Sequence, residues 1–295
     1  MMEERSREWK CRREEKSYPE KLKVYNSMPD VLYIRGELPD PRKPAAAIVG
    51  ARACGRYGEQ QAYRFAKVLA ENGIQVISGL ARGIDGMAHR GALDAGGKTF
   101  AVMGCGGDIC YPAEHQELYD RMKGGQGGIL SEFPDKTPPY GRNFPKRNRI
   151  ISALADLVLV IEARVRSGSL ITAGYALEQG KTVYALPGRV GDALSEGCNL
   201  LISDGAGIAC SPEMILEELG ISPGRKVNFR QNSKIRLASH EEMVYSCLDF
   251  QPKNIEEIHQ ETNLDTRIIA EVLLKLELDG LITEPVKNYY ARAGG

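Results

Sequence analysis

The sequence has no long hydrophobic run. Its longest apolar stretch, residues 150–161, is interrupted by Asp156 and falls short of the roughly 18 to 20 residues that span a bilayer. The N-terminus is densely charged and has no apolar segment behind it, which excludes a secretory signal peptide. The sequence therefore predicts a cytoplasmic protein that does not insert into a membrane.

Net charge and metal-ligand patterns are lacking as well. Thirty-nine basic and thirty-nine acidic residues give a formal net charge of zero, so any affinity for polyanions has to come from local clusters of cations. The four histidines show no ligand spacing, and the closest pair of the seven cysteines, Cys105 and Cys110, lacks the two-residue spacing of zinc or thioredoxin-like sites. We expect reduced thiols, no metal and no cofactor.

Short apolar runs alternate with amphipathic segments along most of the chain. The predicted strands lie at residues 45–49, 75–78, 99–103, 129–131, 157–161 and 182–186, and the predicted helices at 59–71, 86–95, 169–179 and 212–219. Continuous apolar strands that alternate with helices are typical of a parallel sheet covered on both faces. The sequence therefore predicts an α/β fold with a doubly wound, mostly parallel sheet.

The chain divides into four segments. Residues 1–44 are expected to form a leader, solvated up to about residue 24, and a lead-in strand, and residues 45–220 form the sheet domain. Residues 221–237 carry five cations and no acid and are expected to be a basic linker. Three helical patterns and a hairpin in residues 238–295 predict a small winged-helix domain.

The winged-helix segment is acidic. From residue 240 to the end, five bases stand against eleven acids, a net charge of −6. Since phosphate is bound by cations, we expect a protein partner for this domain rather than duplex DNA.

Three small-residue turns follow predicted strands, at the edge of the sheet where helix N-termini bind phosphate. They contain Gly50 and Arg52; Ser78 and Gly79; and Ser167, Gly168 and Ser169. The glycine spacing does not match the dinucleotide fingerprint, so NAD is not expected. Alternatively, these glycines only allow tight turns and Arg52 pairs with a carboxylate; the local spacing does not decide between the two interpretations.

Residues 142–149 cluster four cations and one aromatic ring without an acid: Arg142, Phe144, Lys146, Arg147 and Arg149. Cations follow a phosphate backbone while a ring stacks on an unpaired base, a combination suited to single strands. The alternative is a solvated basic loop with the Phe144 ring in the core. No Ser-His-Asp order or carboxylate pair supports catalysis, so no enzymatic activity is expected.

Together, these motifs resemble the DNA processing protein A family, also called DprA or Smf. The similar segments occur in the same order over about residues 18–220: 49–52, 78–85, 104–112, 131–132, 144–150, 162–163, 167–170, 187–188 and 197–199. Ala51 in place of a usual serine and Ala153 in place of a usual glycine depart from the family pattern. We expect the helical N-terminal domain of many members to be absent.

The resemblance implies an extended Rossmann-like fold in a homodimer that binds single-stranded DNA. Such proteins load the RecA recombinase onto incoming DNA during natural transformation. Carried over by position, the residues that line a basic pocket for the strand are Arg52, Phe144, Lys146, Arg147 and Asn148, with Ser167, Gly168 and Ser169 as a nearby anion-binding turn.

A nucleotide phosphoribohydrolase on a related Rossmann-like fold is the alternative. It would need a Pro-Gly-Gly-x-Gly-Thr type turn followed by a glutamate. The nearest segment, residues 166–170, lacks this pattern.

Overall fold

Apolar residues collect in two parts of the chain that fold as separate units. The computed structural model describes residues 8–221, 239–249 and 251–292. By its contacts the chain divides between Gly224 and Arg225. Each unit buries an apolar core of its own.

The central strands of the first unit are buried along their whole length. This holds for β4 (Gln75–Ser78), β5 (Thr99–Met103), β6 (Gly127–Ser131) and β7 (Leu157–Glu162). A strand with no exposed residue has to be covered on both faces of the sheet. Helices therefore pack on both sides.

Nine strands form this sheet, in the order β1-β2-β6-β5-β4-β3-β7-β8-β9. The remaining strands are β1 (Glu8–Arg12), β2 (Val31–Gly36), β3 (Ala45–Gly50), β8 (Thr182–Ala185) and β9 (Gly207–Ile208). β1 and β2 run antiparallel to their neighbours, and all pairs from β6 to β9 are parallel. The doubly wound, mostly parallel sheet is confirmed, and its order reverses between β3 and β7.

Two groups of helices cover the two faces of the sheet. The helices are α1 (Glu20–Lys23), α2 (Arg56–Glu71), α3 (Ile84–Asp94), α4 (Gln116–Arg121), α5 (Asn143–Leu154), α6 (Gly168–Glu178), α7 (Glu196–Ser203) and α8 (Pro212–Glu218), with a 3-10 turn at Ala113–His115 and a π turn at Met122–Gln126. Ile151 of α5 and Ala173 of α6 lie in the core on one face. Phe65 of α2, Ala88 of α3 and Ile215 of α8 lie in the core on the other.

Residues 8–24 contribute to the core on the sheet face that α5 and α6 cover. β1 pairs with β2, and Cys11, Tyr18 and Leu22 are at most 1% exposed. The expectation of a solvated leader does not hold here, because three apolar residues dispersed among charges are enough to anchor the segment.

The basic patch is not a loop. Its residues form the first half of α5, a helix that the sequence analysis did not predict. The apolar run of residues 150–161 hides the boundary, since it passes from α5 into β7. Asp156 marks the turn: its Oδ2 accepts a hydrogen bond from the Ala45 N–H at 2.9 Å, and its carboxylate pairs with Lys21 at 2.7 Å.

The second unit is a winged helix, as predicted. It contains α9 (Ser239–Cys247), β10 (Lys253–Asn254), α10 (Ile255–Thr262), α11 (Thr266–Leu278), β11 (Ile282–Val286) and β12 (Tyr289–Arg292). The three strands pair in the order β10-β12-β11. The predicted basic linker lies outside the described residues except for Ile221.

Candidate functional site

A cavity of about 550 Å³ opens at the carboxyl ends of β3 and β7. Because the strand order reverses between these two strands, this is the crevice where doubly wound sheets bind ligands. Eight residues singled out from the sequence line it: Gly50, Arg52, Phe144, Arg147, Asn148, Ser167, Gly168 and Ser169. The turns after β3 and β7 and the start of α5 therefore meet at one place.

Arg52 and Phe144 are in direct contact. The guanidinium carbon of Arg52 lies 5.1 Å from the centroid of the Phe144 ring, and the Tyr111 ring lies 5.6 Å from the same centroid. A Cβ at Gly104 would lie 2.8 Å from the Phe144 ring, so a glycine is needed there for the ring to pack. Arg52 makes no ion pair within the described residues, so its charge is available to a ligand.

Arg147 has a different role from the one expected. Its side chain is 3% exposed, and its guanidinium donates to the carbonyl oxygens of Gly79, at 2.8 Å, and of Val102. Burial lowers the pKa of Arg147 to about 10, and the nearby Asp85 carboxylate opposes this shift. Arg147 therefore holds α5 against the ends of β4 and β5, and we reassign it from strand contact to support of the site.

Asn148 connects α5 to the turn before α6. Its Nδ2 donates to the Gly168 carbonyl oxygen at 3.1 Å, and its Oδ1 accepts from Arg147 Nε at 3.2 Å. With 8% of its surface exposed, Asn148 fixes the position of the Gly168 backbone in the cavity wall.

The turn after β4 already holds an anion, the carboxylate of Asp85. Asp85 Oδ2 accepts hydrogen bonds from the N–H groups of Gly79 at 3.1 Å and Ala81 at 3.4 Å. The Ser78 hydroxyl is fully buried and donates to the Ile48 carbonyl oxygen at 2.6 Å. Ser78 and Gly79 thus use their donors inside the protein, and we do not retain them as phosphate contacts.

The turn after β3 is filled in the same way. Glu162 Oε2 accepts from the Gly55 N–H at 2.7 Å, and the Gly58 N–H also bonds this carboxylate. A Cβ at Gly58 would lie 2.4 Å from Glu162 Cδ, so glycine allows the close approach. Burial raises the pKa of Glu162, which these backbone hydrogen bonds oppose. Gly50 lines the cavity, but the N-terminus of α2 is occupied by the protein's own carboxylate.

The turn between β7 and α6 is open. Ser167 caps α6, with its Oγ accepting from the Ser169 N–H at 3.3 Å. Gly168 is exposed, and its N–H has no acceptor within the described residues. The partial positive charge of a helix N-terminus at such a donor favours an anion.

Two arginines of the same turn were missed by the sequence analysis. Arg164 and Arg166 are exposed, line the cavity and make no ion pair within the described part of the chain. The sequence signal that could have identified them is the pair of arginines, two residues apart, shortly after a predicted strand. Together with Arg52, they give the cavity three cations that make no ion pair within the described residues, although Asp85 also lines the cavity and its carboxyl group interacts with the charge of Arg52.

Arg142 and Lys146 do not line the cavity. Lys146 Nζ pairs with Glu132 Oε2 at 2.9 Å, and Arg149 pairs with the same carboxylate at 2.8 Å. The charge of Lys146 is therefore partly neutralised, which the sequence did not indicate. Arg142 lies 5.5 Å from the Tyr140 ring centroid and makes no ion pair with a described residue.

Neither a metal cluster nor a membrane span is found in the residues that the structure describes. No group of three or more histidine, cysteine, aspartate or glutamate side chains is arranged to hold a metal ion there. None of the described helices is long and apolar enough to cross a bilayer.

The fold and the cavity define a Rossmann-like protein with an arginine-lined crevice and a winged-helix domain. The chain belongs to the DNA recombination-mediator protein A family, whose model matches residues 10–220. The model of the DprA winged helix domain matches residues 230–284. The resemblance stated from the motifs is thereby confirmed.

Two relatives are similar to this chain over most of its first unit. Protein Smf of Escherichia coli is 46% identical over 202 residues, which cover 68% of this chain and 54% of the relative. The DNA processing protein DprA of Streptococcus pneumoniae is 42% identical over 201 residues, covering 68% of this chain and 71% of the relative. The matched region therefore spans about half the length of the Escherichia coli protein.

Two solved structures have similar folds. The X-ray structure of Streptococcus pneumoniae DprA aligns with a TM-score of 0.67 at 39% identity, over 72% of this chain and 74% of that one. DNA processing protein A from Helicobacter pylori, described for its single-stranded DNA binding mode, aligns with a TM-score of 0.61 at 30% identity, over 68% and 92% of the two chains.

Proposed function

We propose that this protein binds single-stranded DNA in the cavity at the carboxyl edge of the sheet and acts without catalysis. The observation that carries the proposal is the convergence of three arginines without ion pairs, Arg52, Arg164 and Arg166, with the open N-terminus of α6 around one cavity. Cations and free backbone N–H groups are the usual ligands of phosphate oxygens.

The rings in the cavity favour a single strand over a duplex. Phe144 and Tyr111 lie side by side in its wall, and base stacking on an aromatic ring contributes about 1 to 3 kcal/mol per base. A duplex hides the faces of its bases, so this contribution is available to unpaired bases only. The Helicobacter pylori relative, described for its binding of single-stranded DNA, supports the same assignment.

The wider role that we propose is that of a recombination mediator. In this role a homodimer in the cytoplasm binds incoming single-stranded DNA during natural transformation and transfers it to RecA. The support is membership in the DNA recombination-mediator protein A family together with the cavity described above.

For the winged helix we propose a protein partner. Of its few cations, Lys253 pairs with Glu261 at 2.7 Å, Lys275 pairs with Glu241, and Arg292 donates to the Tyr245 carbonyl oxygen. Two of the five cations are thus neutralised by ion pairs, and acids outnumber bases in the segment as a whole, which disfavours binding to a phosphate backbone.

The experiment compares the binding of oligo-thymidine and of duplex DNA by fluorescence anisotropy at several salt concentrations. Affinity for the single strand should exceed that for the duplex and fall steeply with salt. Arg52→Ala should weaken binding and reduce the slope of log K against log salt by about one unit at most. Lys146→Ala should have a smaller effect, because Glu132 already pairs with this lysine.

Lys43→Ala is the matched control, since Lys43 is exposed and lies two residues before the start of β3, at the amino edge of the sheet. It should leave both affinity and slope unchanged. Equal affinity for duplex and single strand, or an Arg52→Ala variant that binds like the wild type, would contradict the proposal. Release of adenine from AMP would contradict the absence of catalysis.

A further inference from the structure

A second cavity, of about 530 Å³, lies at the β1–β2 end of the sheet. Its lining includes Lys10, Tyr33, Arg35, Gly107, Pro134 and Asp135. We refer to it as the Lys10–Tyr33 groove. None of these residues lines the first cavity.

The register of the strands brings the polar residues of the groove to one face. Lys10 is directly opposite Tyr33 in the antiparallel β1–β2 pair. Side chains alternate along a strand and directly opposite residues share a face, so Lys10, Tyr33 and Arg35 lie on the same side of the sheet. Tyr33 is also opposite Ser131, the last residue of β6. The groove is therefore at the carboxyl edge, like the first cavity.

The same two loops line both cavities. The loop after β5 contributes Gly107 to the groove and Tyr111 to the first cavity. The loop after β6 contributes Asp135 to the groove and Gly141 to the first cavity. From β2 to β3 the sheet has four strand intervals, a span of about 19 Å at the usual spacing of strands.

Exposed rings and cations lie on these loops. The side chains of Tyr111 and Tyr140 are 42% and 50% exposed, and the guanidinium of Arg142 lies over the Tyr140 ring. Alternating rings and cations suit the unpaired bases and phosphates of a single strand. The surface next to the first cavity is thus compatible with the same ligand.

Lys10 is the cation of the groove with unused charge. Lys10 is exposed and makes no ion pair within the described residues, whereas Arg35 is held by Asp135 at 2.8 Å. Tyr33 is half-buried beside Lys10. A ring beside a free ammonium group matches one nucleotide unit, the base on Tyr33 and a phosphate oxygen on Lys10.

We propose that the Lys10–Tyr33 groove is a second subsite for the single-stranded DNA whose other segment occupies the first cavity. This inference rests on the proposed function. It makes the bound length longer than the first cavity alone accommodates, so affinity should rise again when an oligonucleotide becomes long enough to reach the groove.

The test measures affinity for oligo-thymidines from about 4 to about 16 nucleotides, the range of site sizes of single-strand binders. Lys10→Ala and Tyr33→Ala should bind the shortest oligonucleotides like the wild type and the longest ones several-fold more weakly. Tyr33→Phe keeps the ring and should bind all lengths like the wild type. Arg52→Ala should weaken the binding of every length.

Arg12→Ala is the matched control, because Arg12 is exposed on the same strand and face as Lys10 but does not line the groove. Trp9, the only tryptophan of the chain, donates its indole N–H to the Gly36 carbonyl oxygen at 3.2 Å. Because Trp9 also lines the groove, its emission is recorded without DNA, where it reports whether β1 stays paired with β2 in each variant.

The possible outcomes distinguish failure of the second subsite from failure of binding in the first cavity. If Lys10→Ala and Tyr33→Ala keep wild-type affinity at every length, or lose the same factor at every length while Trp9 emission is unchanged, the second subsite is excluded and the first cavity is unaffected. If the wild type binds no oligonucleotide, the proposed function itself is excluded.

Discussion

His89 is a buried base that the fold keeps neutral. Its Nδ1 lies 2.7 Å from Thr99 Oγ1, and the Thr99 hydroxyl donates to the Val76 carbonyl oxygen at 2.8 Å. Nδ1 therefore carries the ring proton and donates to Thr99, while Nε2 has no partner in the described part of the chain. Burial lowers the pKa of His89 to about 3, and electrostatic interactions with His115 and Arg147 act in the same direction.

This pKa makes stability depend on pH. An unfolded histidine has a pKa of about 6.5, so below that value the unfolded chain binds a proton that folded His89 does not bind until about pH 3. Stability should fall as the pH drops through this window, by about 2 kcal/mol from His89 between about pH 7.5 and about pH 5. Urea unfolding of His89→Asn should show lower stability at neutral pH and a smaller decrease at acid pH. A decrease as large as that of the wild type would contradict this account.

Arg52 and Arg147 show which features of a site residue the sequence can predict and which it cannot. Both belong to segments that resemble a known family. Arg52 lines the cavity, and its contact with a DNA strand stays a prediction. The burial of Arg147 was not predictable, since it depends on the carbonyl oxygens of Gly79 and Val102, which come from distant strands. The same holds for Lys146, whose charge is offset by Glu132 at the end of another strand.

At the scale of elements, the three turns predicted to bind anions differ in whether a carboxylate of the protein itself occupies them. Each places a small residue after a parallel strand, which the sequence indicated correctly. The turns after β3 and β4 receive the carboxylates of Glu162 and Asp85, whereas the turn before α6 receives none. The packing of the sheet decides which backbone N–H groups stay without an internal acceptor. The spacing of residues in the sequence therefore could not distinguish the open turn from the two occupied ones.

The open N-terminus of α6 can be tested without unfolding the helix. Gly168 is the first helical residue after the cap Ser167, a position where proline is well tolerated. The extended backbone of Ser167, with ψ of 145°, also suits a residue before proline. Gly168→Pro removes the N–H and should weaken the binding of single-stranded DNA several-fold at unchanged melting temperature. Gly168→Ala keeps the N–H and should bind like the wild type; equal binding by both variants would contradict the role of this donor.

At the scale of the molecule, the sheet has two unequal ends. One end is formed by β1, which the sequence analysis took for part of a solvated leader and which pairs with β2 and with no other described strand. The other ends in the two-residue strand β9, which pairs with β8 and with no other described strand. An open edge strand is a surface where a second copy can add. Leu200 of α7 is 46% exposed and Ile208 of β9 is 44% exposed, and we expect this end to form the proposed homodimer.

Leu200→Asp tests this end of the sheet. An aspartate costs little on the exposed surface of a monomer, but it would be buried without a partner in a dimer interface. Sedimentation velocity should show a dimer for the wild type and at least a tenfold weaker dimer for Leu200→Asp. Val24→Asp, at a residue that is 75% exposed beside α1, should dimerise like the wild type. Because Leu200 does not line the cavity, short oligo-thymidines should bind both variants equally. A monomeric wild type, or a Leu200→Asp dimer as stable as that of the wild type, would contradict the assignment of this edge as the dimer interface.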